Sequence, residues 1–351
     1  MPPKINTSSQ PVRWIVTVLA ILMVGGCSSG PSDAPPTIAP AQAAESPPVA
    51  GRPDGVVRPL AGHAQAAIVD AASGSLAVLA PGVAGQSQVT VFSAAGDEAA
   101  TVSLPTAATA LTGDGAGHAY AATRGGYHRI DLAARNATKV GVEGHPDTEF
   151  TAIARRADGR LVLGSADGAV YTLARDTPAS DTSVAAELAI FARVDALVAQ
   201  GNTAIVLDRG QTSVTAVSES GAEQTQALRA GEGATTMVTD SDGRVLVADT
   251  RGDGLLVFGT DPLILRQRYP VPDAPYGLAG SSTLAWVSQT AANEVVGYDL
   301  ATGIPVEKVR YRTVQQPNCL AYDESSGTLY VVSGSEAGVQ VIVDAAKGYA
   351  R

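Results

Sequence analysis

Gly159-Arg160-Leu161-Val162-Leu163, Gly243-Arg244-Val245-Leu246-Val247 and Gly327-Thr328-Leu329-Tyr330-Val331 are three copies of one pattern, a tight turn opening onto an apolar run. Weaker copies are Gly74-Ser75-Leu76-Ala77-Val78, Gly117-His118-Ala119-Tyr120-Ala121, Asn202-Thr203-Ala204-Ile205-Val206 and Ser282-Thr283-Leu284-Ala285-Trp286. Taking Leu76, Ala119, Leu161, Ala204, Val245, Leu284 and Leu329 as equivalent, successive copies lie 39 to 45 residues apart. That period belongs to four-stranded units stacked side by side, each hiding an apolar face that it cannot bury alone. A two-sheet sandwich gives no reason for so long a period, and no 3.6-residue apolar rhythm follows the N-terminal segment to suggest helices. The repeat therefore predicts an all-β fold, a seven-bladed β-propeller.

Composition agrees. The chain has 351 residues, 45% hydrophobic and 17% charged, with 37 Gly and 21 Pro but only 5% aromatics, a balance suited to many short strands joined by turns. Alternation within the fifth unit places strands at residues 235–239, 244–249, 254–258 and 263–269. The last unit has strands near Cys319, Leu329 and Val341 and lacks room for a fourth. Val56-Val57-Arg58-Pro59-Leu60, ahead of the first unit, is expected to supply it, closing the ring with an N-terminal strand and removing an open sheet edge.

The blade Asp242-Gly243-Arg244-Val245-Leu246-Val247-Ala248-Asp249-Thr250 resembles the YVTN and NHL types of propeller, and Leu329-Tyr330-Val331-Val332-Ser333 resembles the first of these most closely. The resemblance covers residues 55 to 345 and implies architecture more than activity. WD40 proteins are a poor match, since Trp286 is the one Trp after the N-terminal segment.

That segment is an address. Lys4 and Arg13 precede an apolar stretch, Trp14 to Val24, about half the ~20 residues that a permanent membrane helix needs. Leu22-Met23-Val24-Gly25-Gly26-Cys27 resembles a bacterial lipobox, which implies cleavage before Cys27 and a diacylglycerol on its sulfur. Together with the repeats, the chain is similar to actinobacterial, mycobacterial-type lipoproteins that carry a propeller domain. The expected organisation is a signal peptide over 1–26, a lipidated Cys27 with a disordered Pro/Ala/Ser tether over 27–54, and the propeller over 55–351. The expected location is the extracytoplasmic face of the cell membrane. The tether is read as a spacer, having too little apolar surface to offset its ordering entropy.

The formal charge of −10 becomes about −12 once Lys4 and Arg13 leave with no acid accompanying them. Such an anionic surface repels phosphate backbones, and nucleic acid is excluded as a partner. With Cys27 engaged, Cys319 is a lone thiol whose expected place is the interior of a strand.

Four antiparallel strands per blade put short turns such as Asp158-Gly159 and Asp242-Gly243 on one face. The richer loops fall on the other, including 144–149, 249–253, 272–276 and 315–318. At the starts of inner strands, Glu149, Asp195, Glu232, Asp273 and Asn318, with Tyr276 beside them, are expected to ring the mouth of the central channel. Carboxylates converging with an amide there would suit a hard divalent cation such as calcium, an arrangement that resembles the metal-dependent lactonase propellers by position only. The competing account is that they are solvated loop charges.

Other patterns carry less. Asp240-Ser241-Asp242-Gly243 lacks the later Glu of a calcium loop, and Arg251-Gly252-Asp253 spells an adhesion tripeptide by chance. His63, His118, His128 and His145 have no metal-ligand spacing. No nucleophile elbow or phosphate loop is present. The leading expectation is thus a non-catalytic binding or scaffold module of the envelope, holding a protein, peptide or glycan. The alternative is a metal-dependent, lactonase-like hydrolase or lyase.

Overall fold

The structure, a computed structural model, describes residues 1, 3, 4, 35–94, 99–175 and 181–348. Cys27 and nearly all of the expected signal peptide lie outside the described residues. From residue 56 onward the chain forms seven four-stranded antiparallel sheets, six of them built in simple chain order. These blades span 66–104, 108–141, 150–189, 196–229, 234–270 and 275–312. In the fifth, the strands are Ala234–Thr239, Arg244–Asp249, Gly254–Thr260 and Leu263–Pro270, within two residues of the alternation pattern.

The seventh blade is shared between the two ends of the propeller. Pro317–Asp323, Thr328–Ser333 and Val339–Ile342 make three strands, and Val56–Arg58 adds the fourth, with Val56 opposite Val341 and Arg58 opposite Val339. The first strand thus satisfies an edge that would otherwise expose a row of backbone donors and acceptors.

Seven apolar clusters lie between neighbouring blades, in the manner of a ring. One of them joins Ala321, Tyr330, Val332, Val339 and Val341 of the last blade to Leu76, Val78 and Phe92 of the first. In the sixth blade Trp286 is fully buried and stacks against Tyr311 and Tyr322, with ring centroids 6.4 and 5.9 Å away. Blade packing also demands bare backbone at some turns. Gly168 has φ +86°, and a Cβ there would overlap the Phe191 carbonyl.

Second strands end on polar residues without solvent exposure: Ser165, Asp208, Asp249, Gln289 and Ser333. Their repetition has a reason. Asp249 Oδ1 accepts the N–H groups of Glu232 at 3.0 Å, Gly233 at 2.8 Å and Gly252 at 3.2 Å, so one carboxylate ties the loop entering the blade to the turn after its second strand. Asp208 does the same for Ala192, Arg193 and Gln211. These two carboxylates brace the loops beside them on the loop-rich face, because the six loop amides they accept are satisfied from within the fold.

The structure differs from the expected free spacer over residues 37–54. That segment has neither helix nor strand before Val56, yet it is hydrogen-bonded to the propeller along its length. Ala41 and Ser46 are buried. Composition alone gave no hint of this, because the segment is held by its backbone rather than by apolar side chains.

Candidate functional site: the strapped channel mouth

Inner strands from all seven blades surround a central cavity of about 550 Å³. Five of them, Ala108–Gly113, Phe150–Arg155, Ala234–Thr239, Pro275–Gly280 and Pro317–Asp323, carry a register shift within their first few residues. A bulge re-aims the side chain it displaces. Thr109 donates to Phe150 O at 2.9 Å and Thr151 to Val194 O at 2.5 Å, while Thr236 donates to Tyr276 O. Hydroxyls of one inner strand thereby clasp the backbone at the start of the next, setting the diameter of the mouth.

Of the residues expected at the mouth, Asp195, Tyr276 and Asn318 line the cavity. Asp195 Oδ2 accepts the Arg209 N–H at 2.8 Å, and its Oδ1 stands 3.3 Å from Arg193 Nε. Burial pushes the Asp195 carboxyl up, with the hydrogen bond and the two arginines opposing it. Tyr276 is also pushed up by burial. Asn318 Oδ1 accepts from Gln316 Nε2 at 3.0 Å.

Glu149, Glu232 and Asp273 are exposed and do not line the cavity, which corrects the expected ring of carboxylates. Their main chains explain the difference. Glu149 is drawn into a bridge with Arg124, Glu232 is pinned by its own N–H to Asp249, and Asp273 sits in a left-handed turn at φ 62°. Among the described residues, no group of three His, Cys, Asp or Glu side chains is placed to hold a metal ion. Cys319 also faces the cavity, half-buried, its thiol pushed up to about 12 by burial.

The feature absent from the sequence reading is the strap across this mouth. Arg251 Nη2 donates to Ala39 O at 2.7 Å, and Arg209 Nη2 donates to Ala41 O. Gln316 Nε2 donates to Ala44 O at 2.8 Å, Gln315 Nε2 to Ser46 O at 3.1 Å and Asn293 Nδ2 to Pro47 O at 2.7 Å. Arg209 belongs to the fourth blade and Gln316 to the entry of the seventh, on opposite sides of the ring. The carbonyls they hold are three residues apart, a reach of about 10 Å at most. The segment therefore runs as a chord over the mouth rather than around its rim. Arg251, Gln315 and Gln316 fall in loops that the sequence marked as rich. Arg209 and Asn293 had no signal beyond their place after a second strand.

Fold and site together define a seven-bladed β-propeller with a strapped channel mouth. Solved structures with the same architecture include a chain of the mitotic checkpoint complex, with TM-score 0.70 and 11% identity over 88% of this chain and 99% of that one. Virginiamycin B lyase from Staphylococcus aureus gives TM-score 0.65 and 13% identity over 83% and 98%. The U3-55K structure gives 0.68 and 11% over 82% and 97%. At these identities the likeness is one of fold. No protein-family model and no curated protein matches the sequence.

Proposed function

We propose that this protein is a lipid-anchored, extracytoplasmic binding module of the cell envelope whose working surface is the loop-rich face. The observation that carries this reading is the grip on the strap: five side chains from four loops hold an extended segment by its carbonyl oxygens. A face that grips main chain is equipped to bind a peptide. The anchor rests on the run Leu22 to Cys27 and its resemblance to a lipobox. The metal-dependent alternative is weaker because Asp195 is the one carboxylate, of the four expected, that lines the cavity, and it is already engaged by Arg193 and the Arg209 amide.

Mass spectrometry of the N-terminal peptide tests the anchor. A diacylglycerol on Cys27, with loss of membrane association in Cys27→Ala, is the expected result; an unmodified peptide overturns the anchor. Photo-crosslinkers placed at Glu149 or Glu232 in intact cells should capture envelope components, and one at Asp242 on the opposite face should not. Equal capture from both faces, or turnover of a lactone panel that depends on Asp195, overturns the binding reading.

A further inference from the structure

Given that reading of the loop-rich face, we propose that its groove accepts an extended, proline- and alanine-rich segment of a partner protein, and that residues 37–47 occupy the groove in cis as a displaceable stand-in. Three observations lead there. The groove reads acceptors: among the described residues five strap carbonyls are bound, whereas the strap's N–H groups make two bonds to the propeller, from Ile38 to Gly210 O and from Ser46 to Gln316 Oε1. Proline keeps its carbonyl and has no N–H, so a proline-rich chain offers what these Arg, Gln and Asn side chains seek, already extended.

The groove is also cut to small residues. A Cβ on Gly233 would come within 2.9 Å of Ala41 Cβ, and one on Gly210 within 3.2 Å of Thr37 Cγ2. Ser46 is the one strap side chain read specifically: its hydroxyl donates to Thr290 O at 2.6 Å and accepts the Gln316 N–H at 3.1 Å. The segment that fits has a small residue at the Ala41 place, a serine five residues later and a proline after it.

Finally, the strap is held by polar contacts and little else. Residues 36–40, 42, 45 and 47–50 are exposed. Hydrogen bonds of this kind, whose partners find water when released, are individually exchangeable. A competitor must outrun a tethered segment whose effective concentration is on the order of millimolar.

The test uses the full chain in detergent micelles and a fluorescent peptide of residues 35–50. Ala41→Lys with Ser46→Lys loosens the strap by setting an ammonium among Arg209 and Arg251 and emptying the serine subsite, leaving the groove intact. The peptide is expected to bind this variant at least ten-fold more tightly than wild type, and adding Gln316→Ala should cost at least ten-fold. No binding to a variant that melts like wild type, or equal binding to both, overturns the proposal. Should the variant fold poorly, hydrogen exchange on wild type decides: millimolar peptide should speed exchange at the Ile38 and Ser46 amides, and unchanged exchange at saturation overturns it. Strap exchange between two copies, seen as a dimer by light scattering, also overturns the assignment to a partner. The peptide assay is indifferent to lipidation, so its failure is separable from failure of the anchor.

Discussion

The side-chain amide of Gln340 donates to Asp54 O at 2.7 Å, joining the last blade to the residues just ahead of the first strand. The same amide donates to Arg312 O at 2.9 Å and accepts the Val314 N–H at 3.0 Å, and the residue has no solvent exposure. One buried side chain thus stitches the sixth blade, the seventh blade and the closing strand.

Gln340→Ala is expected to leave two backbone groups, Asp54 O and the Val314 N–H, without partners, at about 1–3 kcal/mol each before relaxation, while Arg312 O keeps the Asp54 N–H at 3.0 Å. Urea unfolding should show a loss of about 2 kcal/mol or more, and deletion of residues 55–61 should be harsher, giving gross instability and association through the opened edge. A monomeric, fully folded deletion would contradict the closure by Val56–Arg58.

His128 makes stability pH-dependent. It is fully buried, its Nε2 lies 2.7 Å from Thr106 Oγ1, and its Nδ1 has no hydrogen-bond partner among the described residues. Burial, helped by the charge of Lys139, lowers its pKa to about 4. The folded state therefore binds this proton less readily than the unfolded chain, whose histidine titrates near 6.5. The stability contribution is complete above about pH 6.5 and is lost as pH falls toward 4, by about 3 kcal/mol. Urea midpoints measured across that window should fall with pH, and His128→Gln should flatten the slope. A His128 imidazole titrating near 6.5 by NMR in the folded protein, assigned by comparison with His128→Gln, would refute this.

Cys319 should be inert while the propeller is folded. Its Sγ lies 3.9 Å from Ala64 O, and burial raises its pKa to about 12, so the thiolate fraction is negligible at neutral pH. Alkylation at pH 8 is expected to be slow in the native protein and rapid in urea. Equal rates in the two conditions would show that the thiol is open to solvent.

Much of the fold was legible because a propeller writes its period into the sequence. The turn glycines and apolar second strands recur at blade spacing, and the incomplete last unit called for Val56–Arg58. The candidate site was only partly legible. Glu149, Glu232 and Asp273 begin blades in the same way as Asp195, yet each is exposed and stands outside the cavity lining. Strand alternation does not encode a bulge or the direction of a loop side chain, and these decided which groups reach the cavity.

What the sequence by itself determined was the repeat, the number of blades and the need for an N-terminal strand to close the ring, since these follow from local apolar patterning and from edges that must be paired. The strap was decided by tertiary structure. Residues 37–47 read as spacer because they carry almost nothing to bury, and they are held by donors brought together from blades four to seven, up to 272 residues away in the chain. Backbone carbonyls are present at every position of every sequence; which of them find partners depends on where the folded chain places its arginines and amides.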